Sequence, residues 1–263
     1  TSEAWVGQYA AFNEALKYMF KRSTGEEKSI YTPWPKFNDA ATDGIEWNTL
    51  TVIGGRPGSG KTLIKDQIIR ESFALNPNDK FRVLEFQFEM LGRNMGLREL
   101  SAATNLNIRY IQSAQDDGMP PLSKGDYEKL TSYAKKQESR NEYVIDKAMT
   151  VGQMEKAIVS FHNKFKLPVV ITLDHTLLVR MASTENNKQI TLQNLATMMT
   201  EMKNRLPVTF IVLTQLNREI DNAERQKPGK LENFPTEADV FGSDSLLQCA
   251  DVMIAMNRPA KFP

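Results

Sequence analysis

Six short apolar or alternating runs punctuate the chain, and most are separated by segments with helical spacing. Thr49-Leu-Thr-Val-Ile-Gly54 is β-branched and apolar, which predicts a buried strand. Leu63 to Leu75 follows with helical composition and neither Gly nor Pro. Phe81 to Phe88 alternates and predicts a second core strand, with Glu89 directly at its end. Gly92 to Ala103 reads as helix, and Ser123 caps another that runs to about Asn141. Tyr143 to Ile145 is a short strand, and Thr150 caps a helix carrying Met154, Ala157, Ile158, Phe161 and Phe165 on one face. Pro168 to Asp174 is an apolar strand ending in an acid. A helix from about Thr191 to Arg205 packs through Met198, Met199 and Met202. Val208 to Gln215 is a further buried strand, and Asn217 to Glu237 is long and polar. Val252 to Met256 closes the series. Strands alternating with helices predict an α/β fold: a mostly parallel central sheet with helices on both faces.

The first twenty residues follow a different pattern. Trp5, Tyr9, Phe12, Leu16, Met19 and Phe20 recur at three- and four-residue steps, an amphipathic helix with an aromatic stripe. A polar stretch from Lys21 to Lys28 follows, which divides the chain into a linker helix (residues 1–28) and a main domain (29–263). The stripe needs a partner, either its own domain or a neighbouring subunit. Ile30 to Ile45 leads into the first strand with Pro33, Trp34, Pro35 and Phe37, and reads as irregular.

Composition narrows the choices. A chain of 263 residues can bury one sizeable α/β core. Its net charge of +1 means that any nucleic-acid contact comes from local loops rather than a basic body. A single Cys249 excludes an internal disulfide framework and suits a reducing cytoplasm. Two histidines and one cysteine make no zinc constellation; His162 reads as helix surface and His175 as a packing residue pointing away from Asp174. No stretch is long and apolar enough for a membrane span. The chain begins at Thr1 and stops at Pro263 just after a strand, so we expect a piece of a longer protein.

Chemistry enters with Gly55, Arg56, Pro57, Gly58, Ser59, Gly60, Lys61 and Thr62, which fit G-x-x-x-x-G-K-[ST] between a strand and a helix. Glycines let backbone N–H groups converge on phosphates at a helix N-terminus, where the dipole is positive. Lys61 adds a charge on the β- and γ-phosphates, and the Thr62 hydroxyl is placed to ligate Mg²⁺. The chain is therefore expected to bind a nucleoside triphosphate. Ligands of such sheets lie outside the carboxyl ends of the strands. Three strand ends carry suitable groups: Asp174 for the Mg²⁺ shell, Glu89 as the base that polarises water, and Gln215 as a γ-phosphate contact.

With these motifs placed, the chain from about Ile30 through Arg258 resembles the C-terminal ATPase domain of DnaB-family replicative DNA helicases, a RecA-like fold. Gly55 to Thr62 is similar to that family's phosphate loop, including the Arg-Pro pair. Phe88-Glu89-Met90 resembles its strand-end segment, in which the Glu is the catalytic base. Leu173-Asp174-His175-Thr176-Leu177-Leu178 resembles its Asp-Tyr-Leu-Gln-Leu segment, with His175 in place of Tyr. Leu213-Thr-Gln-Leu-Asn-Arg218 is close to Ser-Gln-Leu-Asn-Arg, and Ala250-Asp-Val-Met-Ile254 resembles the late Ala-Asp strand.

The resemblance implies a homohexameric ring that threads single-stranded DNA and couples hydrolysis of ATP with Mg²⁺ to translocation. It implies a first helix docked on the next subunit, and primase or a helicase loader as partners. Loops after Asp174 and Gln215 would face the channel: Arg180, Asn187 and Lys188 in the first, Arg218, Arg225, Lys227 and Lys230 in the second. Where the family has Asp-Leu-Arg-Glu-Ser-Gly, this chain has Asp239-Val-Phe-Gly-Ser-Asp244. The Arg and Glu of that DNA loop are gone, although Gly242 and Ser243 can donate backbone N–H groups and Phe241 can stack on a base. The family's trans-acting arginine finger lies beyond the last strand, so this segment alone is expected to hydrolyse ATP slowly. A recombination ATPase of the RecA or RadA type, and a loader or regulator that does not unwind, are the alternatives.

Overall fold

The computed structural model describes residues 7–113, 118, 120–221, 225, 234–236, 239–240 and 244–257. Each apolar run becomes a strand. β1 (Leu50–Gly55), β2 (Arg82–Gln87), β3 (Glu142–Ile145), β4 (Val169–Asp174), β5 (Val208–Gln215) and β6 (Val252–Met256) form one sheet in the order β3-β2-β4-β5-β1-β6. All five pairings are parallel. Parallel strands need crossovers, and the helices that supply them cover both faces.

Strand alternation sorts the core into two layers. Leu50, Val52, Leu84, Phe86, Ile171, Leu173, Phe210 and Val212 face α7 (Val151–Phe165) and α8 (Lys188–Arg205). Met198, Met199 and Met202 of α8 are buried in that layer, as their helical spacing predicts. Ile53, Val83, Val170, Ile211 and Leu213 face the other way, onto Ile68 and Ile69 of α3 (Lys61–Leu75) and the lead-in residues Ile30, Ile45, Trp34 and Phe37. Thr150 caps α7 in a reciprocal box with Gln153. Ser123 caps α6 (Lys124–Gln137) by accepting from the Asp126 N–H at 3.0 Å.

The differences from expectation are local. The lead-in holds a short helix, α2 (Pro35–Ala40), entered through Pro35 at its first position. The segment after α4 (Gly92–Thr104) holds α5 (Ile108–Gln112), capped by Asn107. Helix α6 stops at Gln137, and α8 starts at Lys188 because Asn187 accepts from the Ile190 N–H. A last short helix, α9 (Asp244–Cys249), precedes β6. Asp251 there accepts from the Leu50 N–H at 2.6 Å and pairs with Lys203. That pairing gives the late acid a structural role, holding the start of β1.

Helix α1 (Gln8–Thr24) buries none of its residues. Tyr9, Phe12, Leu16, Met19 and Phe20 of its stripe are all more than half exposed. Its contacts with the main domain are polar: Tyr18 to Glu46, and Arg22 to Ser29 and the Thr42 carbonyl. Folding the stripe back onto its own domain is therefore not what the structure adopts. Trp5 lies outside the described residues.

Candidate nucleotide site and channel loops

The face of the sheet toward α3 changes character along the strands. At its middle it is apolar; toward the carboxyl ends of β2 and β4 the same alternation presents Glu85, Gln87, Thr172 and Asp174. Gln87 stands opposite Asp174 in register, and Gly55 stands opposite Gln215 on β1 and β5. β2, β4, β5 and β1 are consecutive in the sheet, so Glu89, Asp174, Gln215 and the glycine loop share one rim.

The loop itself needs its glycines. Gly58 and Gly60 sit at φ +73° and +100°, in the left-handed region. A Cβ on Gly55 would meet the Ser59 hydroxyl oxygen at 2.4 Å and the Lys61 side chain at 3.0 Å, so any larger residue there forces the Ser59 and Lys61 side chains to shift. Lys61 Nζ donates to the carbonyls of Gly55 (2.6 Å) and Arg56 (3.2 Å), holding the ammonium inside the loop. Arg56 reaches sideways, its guanidinium donating to the Leu216 carbonyl at 3.0 Å, which ties the loop to the residue after Gln215. Ser59 Oγ is buried with no hydrogen-bond partner among the described residues, an orphaned polar atom inside the cradle.

Thr62 Oγ1 donates to Asp174 Oδ2 at 2.8 Å, bridging α3 to β4 across the intervening β5. A hydroxyl and a carboxylate are hard oxygen donors, and their convergence beside a glycine cradle fits a divalent cation bound with a triphosphate. Glu89 follows β2 and is exposed. Gln215 is half-buried at the end of β5.

His175 departs from expectation. The strand ends at Asp174, and His175 opens the short 3₁₀ turn Thr176–Leu178, so alternation no longer decides its direction. The Leu177 N–H donates to its Nδ1 at 3.3 Å, and the Asp174–His175 peptide bond is cis. Burial lowers its pKa below the usual imidazole value against the opposing charges of Asp174 and Glu89.

The two loops proposed to face a channel are more tied down than their composition suggests. Lys188 donates to the Val179 carbonyl, closing the segment between them, and burial lowers its pKa. Asn187 is spent on capping α8. Arg180 is exposed, and its backbone is pinned by its N–H to the Met149 carbonyl at 2.8 Å. In the second loop Arg218 is exposed on a 3₁₀ turn (Arg218–Asp221), while Arg225 pairs through both guanidinium nitrogens with Asp239. That pair, with the Thr236 N–H, holds the Asp239 carboxyl down at about 2. Lys227, Lys230, Phe241, Gly242, Ser243 and Arg258 lie outside the described residues.

Two features were missed in the sequence. Lys65, one turn beyond Thr62, is fully buried and pairs with Glu85 and, at 2.7 Å, with Asp66. Gln87 lies against the same acid as Thr62. The signal was there: polar residues at Glu85 and Gln87 break an otherwise apolar strand.

A parallel sheet with a G-x-x-x-x-G-K-T loop after β1 and an acid at the end of β4 defines a P-loop NTPase with a RecA-like fold. The description "DnaB-like helicase C terminal domain" matches residues 30–262, and the chain belongs to that family. Among curated relatives, the replicative DNA helicase DnaB of Buchnera aphidicola subsp. Baizongia pistaciae is 25% identical over 219 residues, covering 82% of this chain and 44% of its own length. That of Helicobacter pylori strain J99 is 23% identical over 223 residues, covering 84% and 42%. The chain thus spans less than half of these relatives. Among solved structures, one ATPase domain matches with a TM-score of 0.77 at 21% identity, covering 95% of this chain and 84% of that one. A DnaB-like replicative helicase studied with its primase interactions matches at 0.75 and 21%, covering 95% and 58%. At that identity the likeness shows the fold.

Proposed function

We propose that this chain is the motor segment of a replicative DNA helicase: it binds ATP with Mg²⁺, hydrolyses it, and drives movement along single-stranded DNA as a ring of copies. The observation that carries the reading is the Thr62–Asp174 contact at 2.8 Å beside the Gly55–Thr62 cradle. When bound, Mg²⁺ supplies charge neutralisation on the phosphates. Thr62 and Asp174 would hold it. Lys61, already inside the loop, turns its ammonium onto the β- and γ-phosphates, and the backbone N–H groups around Gly58 and Gly60 cradle them. Glu89, exposed at the rim, takes a proton from water as general base. Gln215 contacts the γ-phosphate, and through Leu216 and Arg56 its state passes between β5 and the loop.

The uncovered stripe of α1 supports the linker division at residues 1–28 and a ring in which each α1 docks on the next copy. DNA contacts fall to Arg180 and Arg218, with Lys227, Lys230 and the 241–243 backbone; Arg225, Asn187 and Lys188 hold the loops in shape. Primase and a loader are the protein partners of this reading. Unwinding of a forked duplex by the full-length protein, lost on Lys61→Ala, is the expected result. Nucleotide-dependent assembly on DNA without unwinding would instead identify a loader or regulator.

A further inference from the structure

The Gln87 amide is buried to 1% exposure, at the last position of β2 and in register with Asp174. Its Nε2 donates to Asp174 Oδ2 at 3.5 Å, the same oxygen that accepts from Thr62 at 2.8 Å. Its Oε1 is buried with no partner among the described residues. Buried amides normally satisfy both ends, so a side chain with its donor on the site's acid and its acceptor unpaired among the described residues is placed for a partner that those residues do not supply. Packing does not require it: Val83, two pairs earlier on the same face, is apolar and sits in the core. Glu85, between them, is already satisfied by Lys65 and the Thr172 hydroxyl.

We propose that Gln87 is a positioning residue of the metal shell: Nε2 holds the Asp174 carboxylate against Thr62, and Oε1 accepts from a water of the bound divalent cation. The role acts through Asp174 rather than on the phosphates. Groups behind a metal's ligands fix the orientation of those ligands, and losing one weakens metal binding by roughly 10-fold or more. This rests on reading the rim as an ATP·Mg²⁺ site.

Binding of a fluorescent N-methylanthraniloyl ATP to the Thr1–Pro263 chain, without metal and across a Mg²⁺ titration, tests it. Gln87→Met keeps the length and removes both amide functions. It should leave metal-free nucleotide affinity within about twofold and raise the Mg²⁺ needed for half-maximal effect about 10-fold. Its melting temperature should not fall, because an unpaired buried carbonyl has been removed. Gln87→Asn retains the amide one methylene closer to its strand and should give a smaller shift in the same direction. An unchanged Mg²⁺ requirement, or an equal loss with and without metal, overturns the proposal. If Gln87→Met does not fold, Gln87→Asn is judged by the same criterion. A wild-type chain that binds no nucleotide, or a Lys61→Ala variant that binds normally, would instead sink the site reading itself.

Discussion

Replacing Glu142 by Gln should remove a pH dependence from the stability of this fold. Glu142 sits on β3 at the edge of the sheet, lining with Asp66, Glu85 and Arg140 a cleft of about 260 Å³. Arg140 pairs with it at 2.7 Å and also with Glu99. Its other neighbour is Glu85, whose charge is held by the buried Lys65. Burial, then the Glu85 charge, push the Glu142 carboxyl from 4.5 up to about 8, and Arg140 offsets only part of this. The negative charge therefore stays on Glu85 and the proton on Glu142, which donates it across the pair. Between pH 4.5 and about 8 the folded state keeps this proton and the unfolded chain does not. Stability then falls as pH rises, by about 1.4 kcal/mol per pH unit, and levels off above about 8. From pH 6 to 8 the loss is roughly 2–3 kcal/mol. Glu142→Gln carries the donor permanently and has nothing to titrate, so its urea-denaturation stability should lack that slope. His175, with its lowered pKa, adds stability as pH rises toward the ordinary imidazole value of 6.5, but it does so in both proteins and cancels from the difference. Tryptophan fluorescence through Trp34 and Trp47 follows unfolding at each pH. Parallel stability curves for wild type and variant would refute the shared proton.

Lys65→Met should cost on the order of 3–5 kcal/mol, because Glu85 is left charged and buried, while Lys65→Met with Glu85→Gln should recover most of it; equal melts for single and double variants would contradict the pairing. Lys61→Ala should weaken nucleotide binding and abolish hydrolysis, whereas Glu89→Gln should keep ATP bound and stop turnover. Normal ATPase rates in the Glu89 variant would remove it as the base. Replacing Phe12, Leu16 and Phe20 by Ser should leave the melting temperature unchanged, since none is buried, and shift the ATP-dependent assembly toward smaller species in analytical ultracentrifugation. An unaltered sedimentation profile would take the stripe out of subunit contact. Arg225→Ala should destabilise the segment around Asp239 more than Arg218→Ala does, and Arg218→Ala should weaken single-stranded DNA binding about equally across sequences; filter binding and melting curves separate the two.

Local signals carried most of the architecture. The six strands were legible because parallel strands buried on both faces are continuous apolar runs, and period two then sorted them into layers without further information. The glycine loop was legible because its backbone requirement leaves few residue types to choose from. Asp174, Glu89 and Gln215 were legible as strand ends. Tertiary structure alone decided what those ends meet. Which strands are neighbours is a long-range choice, and the order β2-β4-β5-β1 puts Thr62 and Gln87 on the same Asp174 carboxylate. His175 escaped the alternation rule because the strand stops one residue before it. Composition likewise could not show which loop cations are spent on the fold: Arg225 on Asp239 and Lys188 on a backbone carbonyl look like any loop charge until their partners are in place. The same holds for Lys65 and Glu142, whose charge states are set by a shared neighbour on strand β2, Glu85, distant from both in sequence. Periodicity reports what one element needs to bury; which charges must be paired is settled only when separate elements meet.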